Sequence, residues 1–499
     1  MPRLFYPPLV EPGVYVKPKG IQIEKAQLSL DFFDRLISPI SQRWGIFSFE
    51  QLRIDLNFRI CYHISKIYIS IRYMTAARRY LMEIYHGDIL YSSSWEQMQI
   101  HTDSYILVEN GFVQDILPQL PACYRGYPVT DYGRALITPA FSDLHIHAPQ
   151  FLQRGTAMDL LLSDWLNQYT FPQESRFADP RHAEKVYSLL VKDMVKNGTF
   201  HASVFGTIHR EASNILFEKM ADAGMYGYVG KVNMDQYSPD YLCETTEESL
   251  RETERFLHEH QGSEKVKAIL TPRFAPTCSE KLMQGLGVLA KRYQCGLQTH
   301  LVESRWEAAE ALRLYPGYSS DAEIYERAGL MDHGPSIFAH VIFPTQEDIR
   351  ILQAHNSFSV HCPDATNNVI AGIMPTAALY DQYLTLSLGS DVGGGHHTAV
   401  YRQIARAVQL SKLKEFYEPQ NNRSITFENA FYMGTKMGGT AFDRVGSLEK
   451  GYRFNAIVID NIEDAGFPMD AAKRLERFCY TGDDRNIIAR YIDGKHISI

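Results

Sequence analysis

The chain has 499 residues, enough for two or three structural units at the usual domain size. Hydrophobic residues make up 45% and charged residues 22%, which is ordinary globular composition. The formal net charge of −8 excludes a general basic surface for nucleic acid or acidic membranes and suits a small neutral ligand. We find no secretory leader and no apolar run of the ~18 residues that a membrane span needs. We therefore expect neither nucleic acid nor a membrane as a partner.

The seven cysteines are scattered and never form a Cys-x-x-Cys pair. Their odd number and their spacing argue against a disulfide framework and against a cysteine-rich metal site. Because reduced cysteines are typical of the cytoplasm, we expect a cytoplasmic protein.

Residues 1–73 differ in composition from the rest of the chain. They contain ten lysines and arginines against six acidic residues, and eleven isoleucines without clean helical or strand periodicity. From this break we expect residues 1–78 to be an N-terminal extension without a part in catalysis. Two explanations stay open: a start codon assigned upstream of Met74, or a real appendage whose apolar residues dock on the enzyme or on a partner.

Short strands are predicted at both ends of the remaining chain. From residue 79 the sequence alternates as strands do, and Asn110-Gly111 is a hairpin turn signal. The last stretch of the chain returns to short strands. Since neither group could bury a core alone, we expect residues 79–138 and 447–499 to form one small composite β-sandwich.

Between these ends, residues 139–446 alternate short apolar runs with longer amphipathic segments. The segment 180–196 has proline in its first turn and Asn197-Gly198 after its last, as helices do. Thr345 and Asp348 form a capping pattern before another helix, with Asp in place of the usual Glu or Gln. Eight strand candidates with intervening helices predict an α/β fold, a (β/α)8 TIM-like barrel that forms the metal-binding catalytic domain.

The first strand candidate of the barrel ends in His145-Ile-His147. Alternation along a strand places both imidazoles on one face, where they can reach one ion. The motif is weak by itself, because 18 histidines in this chain give roughly 0.6 such pairs by chance. A second pair, His258-Glu-His260, ends a charged helical segment, and we interpret it as a solvated surface pair.

Three further polar residues come at the ends of later strand candidates: His300, His340 and Asp391. The carboxyl ends of all strands in such a barrel open on one mouth, so these side chains should converge there. Histidines and one aspartate with an open position suit a catalytic metal, zinc or iron, rather than a closed structural site. Taken singly, each histidine could equally be a core or surface residue, but their common register favours a metal site.

Several segments carry a more specific pattern. They are His145-Ile-His-Ala-Pro-Gln150, Trp165-Leu-Asn-Gln-Tyr-Thr-Phe-Pro172, Thr271-Pro-Arg-Phe274, Thr299-His-Leu-Val-Glu303, Gly389-Ser-Asp391 and the tail Arg477-Phe-Cys-Tyr-Thr-Gly-Asp-Asp-Arg485. Together they resemble the guanine deaminases of the amidohydrolase superfamily, from about residue 79 to the end. The resemblance implies zinc-dependent hydrolysis of guanine to xanthine and ammonia, in purine catabolism or salvage. It also implies a barrel with a β-sandwich, one zinc ion per chain and a homodimer.

The resemblance implies a role for each matching residue. Those that match metal ligands are His145, His147, His300 and Asp391. Those that match the catalytic group are Glu303, the proton shuttle, His340, which hydrogen-bonds the reacting water, and Asp391. Those that match residues around the purine are Gln150, Arg273, Phe274, His300, Glu303 and Asp391.

The chemistry of these residues supports the roles independently. Attack on an amidine carbon needs one proton for a ring nitrogen and one for departing ammonia. A single carboxylate beside the metal, Glu303, can shuttle both. The alternative for Glu303 is a hydrogen-bond partner of a metal-bound histidine. Arg273 offers a donor for a ring carbonyl and Phe274 a face for stacking, while the alternative for Arg273 is a structural ion pair.

Two positions depart from the family pattern. Pro149 replaces the usual Ser before Gln150, and Asp364-Ala-Thr366 replaces the usual residues after His361-Cys-Pro. Neither change removes a metal ligand, but both bear on the identity of the substrate. We interpret the loop 393–397 as a mobile rim, with a second metal site as the alternative.

Other classes of enzyme fit less well. A binuclear hydrolase would need a carboxylated lysine at the end of strand four, where this chain has Thr271-Pro-Arg-Phe. A cytidine-type deaminase would need a Pro-Cys-x-x-Cys motif, which the sequence lacks. Two alternatives stay open. One is an amidohydrolase that deaminates another ring, such as cytosine, a triazine or an oxidised purine; the other is a catalytically inactive barrel that serves as an assembly protein.

Overall fold

The computed structural model of the protein describes residues 82–160, 162–460 and 466–499. The predicted extension, residues 1–78, lies outside them. The strands are β1 (Met82–Ser94), β2 (Gln97–Glu109), β3 (Phe112–Leu117), β4 (Val129–Pro139), β5 (Phe141–His147), β6 (Thr199–Phe205), β7 (Tyr226–Gly230), β8 (Val232–Asn233), β9 (Val266–Ala268), β10 (Thr271–Pro272), β11 (Leu297–Leu301), β12 (Ser336–His340), β13 (Phe358–His361), β14 (Thr385–Leu388), β15 (Ala456–Ile459), β16 (Ile487–Ile492) and β17 (Lys495–His496).

The α-helices are α1 (Leu162–Trp165), α2 (Phe171–Ser175), α3 (Pro180–Lys196), α4 (Arg210–Asp222), α5 (Thr246–Glu259), α6 (Glu280–Tyr293), α7 (Arg305–Leu314), α8 (Asp321–Arg327), α9 (Gln346–Ala354), α10 (Pro363–Asn368), α11 (Thr376–Asp381), α12 (Val400–Tyr417), α13 (Phe427–Tyr432) and α14 (Ala471–Thr481). Within the described ranges, none of them has the length together with the apolar character that crossing a membrane requires.

Strands from both ends of the described chain form one seven-stranded sheet. Its order is β17-β16-β15-β4-β1-β2-β3, so the two ends join where β15 runs antiparallel to β4. The sheet buries a cluster that includes Ile89, Val108, Phe454 and Tyr491, to which both ends contribute. The predicted pairing of the two ends is therefore confirmed, while the exact domain boundaries stay a prediction.

Turn and capping residues act as the sequence predicts. Asn110 and Gly111 join β2 to β3 with φ angles of 54° and 80°, as a type I′ turn needs. Helix α3 ends before Gly198, which has a φ of 78°. Helix α9 begins with a complete capping box, because Thr345 Oγ1 accepts the N–H of Asp348 at 3.1 Å and Asp348 Oδ2 accepts the N–H of Thr345 at 2.8 Å.

A closed barrel of parallel strands follows β4. Strands β5, β6, β7 and β9 are neighbours in one run, and β11, β12, β13 and β14 in another. A bridge between Leu270 and Leu297 joins the two runs on one side. On the other side the backbone N–H of Asp391 donates to the carbonyl of His145 at 2.8 Å. The predicted (β/α)8 barrel is confirmed, with strands three and four each continued by a short piece, β8 and β10, that pair with each other.

His201 of β6 connects the barrel to the terminal sheet. Asn455 Oδ1 accepts the N–H of Asp493 at 2.8 Å, so Asn455 Nδ2 is the atom that donates to His201 Nε2 at 3.0 Å. His201 Nδ1 therefore carries the proton and donates to Ser142 Oγ at 3.0 Å. Burial lowers the pKa of His201 to about 3, so the folded protein keeps this imidazole neutral.

Candidate active site

Four histidines and one aspartate meet in the mouth of the barrel. His145 and His147 lie on β5, His300 on β11 and His340 at the end of β12, while Asp391 follows β14. His147 Nε2 lies 3.1 Å from His300 Nε2, and His145 Nε2 lies 3.2 Å from Asp391 Oδ1. Two triads each have their ligand atoms within 4.8 Å of one another: His145 with His147 and Asp391, and His145 with His300 and His340. The structure thus brings together all five residues that the strand ends predict.

The donor atoms of this cluster fit a divalent metal ion. Burial holds the pKa of His145, His147 and His300 well below the usual range, so the rings are neutral. His300 Nδ1 donates to the carbonyl of Arg273 at 2.6 Å, which leaves an unprotonated Nε2 facing His147. The buried Nε2 of His145 has no hydrogen-bond partner among the described residues. Neutral imidazole nitrogens gathered around a carboxylate are the ligands that zinc or iron prefers.

A second buried carboxylate, Asp143, lies behind the cluster. Its Oδ1 accepts the backbone N–H of Ser390 at 2.9 Å and that of His145 at 3.2 Å. It therefore joins the first barrel strand to the loop that carries Asp391. Burial raises the pKa of Asp143 to about 7. Asp143 is not among the residues predicted from the sequence, although its position two residues before His145 on the same strand was an available signal.

Glu303 and His340 border the cluster on the cavity side. Glu303 Oε2 lies 3.7 Å and Asp391 Oδ2 lies 3.9 Å from His340 Nε2. Burial, and next the charge of Asp391, raise the pKa of Glu303 to about 8, while Arg273 opposes the rise. The backbone N–H of Glu303 donates to Glu307 Oε2 at 2.9 Å, a contact that sequence reasoning did not foresee. Glu303 can therefore hold or release a proton near neutral pH.

The cavity beside the cluster contains the remaining predicted residues in its wall. The lining side chains include His147, Gln150, Leu162, Trp165, Leu166, Arg273, Phe274, His300, Glu303, Trp306, His340 and Asp391. Phe274 approaches His300 edge-on, with ring centroids 6.4 Å apart. Arg273 Nη1 lies 2.7 Å from Glu174 Oε2, so Arg273 both forms a buried ion pair and lines the cavity. A guanidinium, an amide and aromatic rings in one wall suit a flat heterocycle that carries a carbonyl and ring nitrogens.

The residues that depart from the family pattern take structural positions. Pro149 lies in the 3-10 turn Ala148–Gln153, directly after β5. Asp364 is buried against α12, where its carboxylate accepts from Gln403 Nε2 at 2.8 Å and from Arg406 Nε at 3.0 Å. The Asp364 side chain therefore fastens α10 to α12, because both of its oxygens are engaged there.

Hydrogen bonds attach the glycine-rich loop 393–397 to neighbouring segments. The N–H of Gly393 donates to Gln150 Oε1 at 3.1 Å, and the carbonyl of Gly394 accepts from Asn368 Nδ2 at 2.8 Å. Gly394 also lines the cavity, as a rim residue should. Neither potential metal-binding triad in the described part of the chain includes a histidine of this loop.

The second His-x-His pair is less exposed than expected. The ring of His260 stacks on Phe217 with centroids 3.7 Å apart, and its Nε2 lies 2.9 Å from Asn214 Oδ1. His260 directly follows the last residue of α5 and comes four residues after the buried Phe256, so both rings lie on the same side of the helix end. The interpretation as a solvated pair is therefore wrong for His260, while His258 is exposed.

A closed (β/α)8 barrel with this His/Asp cluster at the carboxyl ends of its strands defines a metal-dependent hydrolase. Residues 136–497 match the amidohydrolase family. Guanine deaminase of Dictyostelium discoideum is 36% identical over 74% of this chain and 84% of its own length. Guanine deaminase of Rattus norvegicus is 34% identical over 85% of this chain and 98% of its own length.

Solved structures agree with these relatives. The crystal structure of guanine deaminase from C. acetobutylicum, with guanine bound in its active site, superposes with a TM-score of 0.81 at 38% identity. The match covers 84% of this chain and 100% of that chain. The chain belongs to the amidohydrolase family, and both sequence relatives named above, which it matches over most of their own length, are guanine deaminases.

Proposed function

We propose that this protein hydrolyses guanine to xanthine and ammonia with one zinc ion per chain, as a step of purine catabolism or salvage. The proposal rests on the composition of the cavity wall, which combines predicted purine-binding residues with the proposed metal ligands. There Gln150, Arg273 and Phe274 adjoin the His/Asp cluster and Glu303. The guanine bound in the active site of the C. acetobutylicum relative supports the choice of substrate.

The residues that would hold the metal are His145, His147, His300 and Asp391. Zinc suits this donor set and iron is also compatible with it. When bound, the ion lowers the pKa of a water molecule to about 7, so that a nucleophile is available at neutral pH. The chain itself keeps three imidazoles neutral by burial and orients one of them through the Arg273 carbonyl.

Glu303 would move the protons of the reaction. Water adds to C2 of guanine, which carries the amino group, and the ring nitrogen beside C2 gains a proton. The amino nitrogen needs a second proton to leave as ammonia, and water is the source of both. The carboxylate of Glu303 can take and return each proton from one place, and its raised pKa makes both of its forms accessible. His340, 3.7 Å from Glu303, would hold the reacting water in line by a hydrogen bond.

The purine itself would be held by three residues. Arg273 can donate to the ring carbonyl at C6, and Phe274 offers an aromatic face. Gln150 can offer an amide N–H to a ring nitrogen that lacks a proton. Because none of these contacts touches the bond that breaks, they determine binding and orientation rather than the proton transfers.

Ammonia release from a panel of aminated rings tests the proposal: guanine, adenine, cytosine, an aminotriazine and 8-oxoguanine, with zinc and iron measured in the same purified sample. We expect about one zinc per chain and the highest kcat/KM with guanine. If the protein releases ammonia from another ring but not from guanine, guanine is refuted as the substrate, while the assignment as a hydrolase stands. A metal-free protein inactive on every ring, even after reconstitution, would support the inactive-barrel alternative.

We also propose that the protein is a homodimer, as the family resemblance implies, and that it is cytoplasmic, as its cysteine pattern indicates. The six cysteines in the described ranges are free thiols, which suits a reducing compartment. Sedimentation of the purified protein over a concentration series would separate a dimer from a monomer.

A further inference from the structure

Glu174 connects the two polar residues assigned above to purine binding. It lies on α2, and its side chain is only 4% exposed. Its Oε1 accepts from Gln150 Nε2 at 2.8 Å, and its Oε2 accepts from Arg273 Nη1 at 2.7 Å. Both partners line the cavity, so the carboxylate stands directly behind the surface that a ligand would touch.

A carboxylate is needed at this position for a simple reason of hydrogen-bond chemistry. Gln150 Nε2 and Arg273 Nη1 are both donors, so the group between them must accept twice, once through each oxygen. An amide has only one oxygen and would turn an N–H towards one of the two donors. The Arg273 side chain is 6% exposed, and an unpaired guanidinium at that depth would be strongly unfavourable. Glu174 therefore satisfies both donors and neutralises the charge.

The same contact decides which atom Gln150 presents to the cavity. Gln150 Oε1 accepts the N–H of Gly393 at 3.1 Å, while Nε2 donates to Glu174. The two contacts together fix the orientation of the amide, because a flipped amide would place a donor against the Gly393 N–H and an oxygen against the carboxylate. The second hydrogen on Nε2 is then the group left to bind a ring acceptor.

Arg273 is restrained in a similar way. Among the described residues, Glu174 takes one hydrogen bond from the five N–H groups of the guanidinium, which leaves other donors for a ligand. Phe171, three residues before Glu174 on the same helix, places its ring 5.6 Å from the guanidinium carbon. Helix α2 thus contributes both a charge partner and an aromatic contact to this arginine.

We propose that Glu174 is a positioning residue for the purine: through one carboxylate it sets the donor geometry of Gln150 and Arg273 together. The proposal rests on the proposed function, because it takes guanine as the ligand. Gln150 and Arg273 would contact the purine equally in the bound substrate and in the transition state. Glu174, which aligns them, would therefore stabilise both states to the same extent. Losing it should therefore raise KM much more than it lowers kcat.

The test is steady-state kinetics of the zinc-loaded Glu174→Gln variant with guanine. Loss of a hydrogen bond to a charged group predicts a rise in KM of about 10- to 100-fold, with kcat within about threefold of wild type. The matched control is Thr170→Val, which removes another buried contact of the same segment, the 2.8 Å hydrogen bond from Gln153 Nε2. This control should keep the wild-type KM. If Glu174→Gln does not fold, Glu174→Asp keeps the charge but is one methylene too short to reach both partners, and it should show the same rise in KM.

A double-mutant cycle with Gln150→Ala separates positioning from a general structural role. If Glu174 acts through Gln150, the two changes must be non-additive, and Glu174→Gln should cost at least about fivefold less in kcat/KM when Gln150 is already alanine. Additive effects, or a KM of Glu174→Gln equal to that of Thr170→Val, would overturn the proposal. The wild-type measurement distinguishes this proposal from the proposed function. If the wild type deaminates guanine and the Glu174 variants have the same KM, only the positioning role of Glu174 is refuted. If the wild type is inactive on guanine, the proposed function is refuted, and this inference is refuted with it.

Discussion

The backbone N–H of Asp391 donates a 2.8 Å hydrogen bond to the carbonyl of His145, and the two side chains approach to 3.2 Å. The last strand of the barrel therefore closes on the first at the point where the proposed metal ligands meet. His300 joins them from the fifth strand. A metal ion held by these side chains would tie together three separate parts of the barrel, so metal binding and barrel stability should be coupled.

Removal of the metal should lower the melting temperature, and Zn²⁺ should restore it. A ligand that binds only the folded state adds about 2.7 kcal/mol when its free concentration is about 100 times Kd. Calorimetry before and after chelation measures the shift. The chain offers a matched pair of variants: His145→Asn should lose the metal, whereas His258→Asn in the other His-x-His motif should retain it. Equal zinc content in both variants would contradict the ligand assignment.

The Glu303→Gln variant should keep its zinc and lose its activity. Glutamine preserves the shape of the side chain but cannot move protons, and general acid–base catalysis contributes ~10²–10⁴-fold to rate. Metal analysis and kcat measured on the same preparation test this. The control is Glu310→Gln on α7, which removes only an ion pair with Arg313 and should behave as wild type. Retained activity in Glu303→Gln would make Glu303 a partner of the metal-binding histidines instead of the proton shuttle.

Arg273→Lys should weaken turnover of guanine far more than it weakens folding. Lysine keeps the positive charge beside Glu174, but its single ammonium group cannot bind both the carboxylate and a ring carbonyl in the planar geometry of a guanidinium. We expect kcat/KM to fall by about tenfold or more and the melting temperature to change little. An unchanged kcat/KM would show that the ion pair with Glu174 is the whole role of Arg273.

His201 should lower the free energy of unfolding as the pH drops below about 6.5. Its folded-state pKa is about 3 and its ordinary value is 6.5, so between these values the unfolded chain binds a proton that the folded chain does not. One such proton changes the free energy of unfolding by about 1.4 kcal/mol per pH unit. His201→Gln should remove this contribution, so that the slope of the unfolding free energy against pH changes by about this amount between pH 3 and 6.5. Equal slopes for the wild type and His201→Gln would contradict a neutral His201.

A chain that begins at Met74 should fold, bind zinc and deaminate guanine like the full chain. The cluster and the cavity wall use residues from Asp143 onwards, and the terminal sheet begins with β1 at Met82. A longer truncation that also removes β1 is the control. It should not fold, because β1 lies between β4 and β2 in the sheet. Loss of soluble expression or activity in the Met74 chain would show that residues 1–73 are needed.

Sequence patterns predicted the parts of the site that depend on local geometry. His145 and His147 share a face because strands alternate, and His340 reaches the barrel mouth because it ends a strand. The Thr345–Asp348 capping box was likewise predictable from the sequence, because both partners lie within one helical turn. In each case a periodicity or a fixed offset along the chain decides the contact.

Most contacts of the site that sequence reasoning missed join residues far apart in the chain. Glu174 meets Gln150 and Arg273 across separations of 24 and 99 residues, and Asp143 meets Ser390 across 247. No offset or periodicity specifies such partners, because the packing of whole elements determines which polar groups face one another. His260 illustrates the same limit, because the tertiary structure determines which residues pack against the end of α5.

The pairing of β15 with β4 has a consequence for biosynthesis. Val458 lies opposite Ile137, so β4 receives this neighbour only after the whole barrel has left the ribosome. Until then one edge of the early strands carries unpaired backbone groups, which are open to association with other nascent chains. Non-local pairing of this kind also slows folding. We therefore expect molecular chaperones that shield strand edges to raise the yield of this protein more than higher expression does.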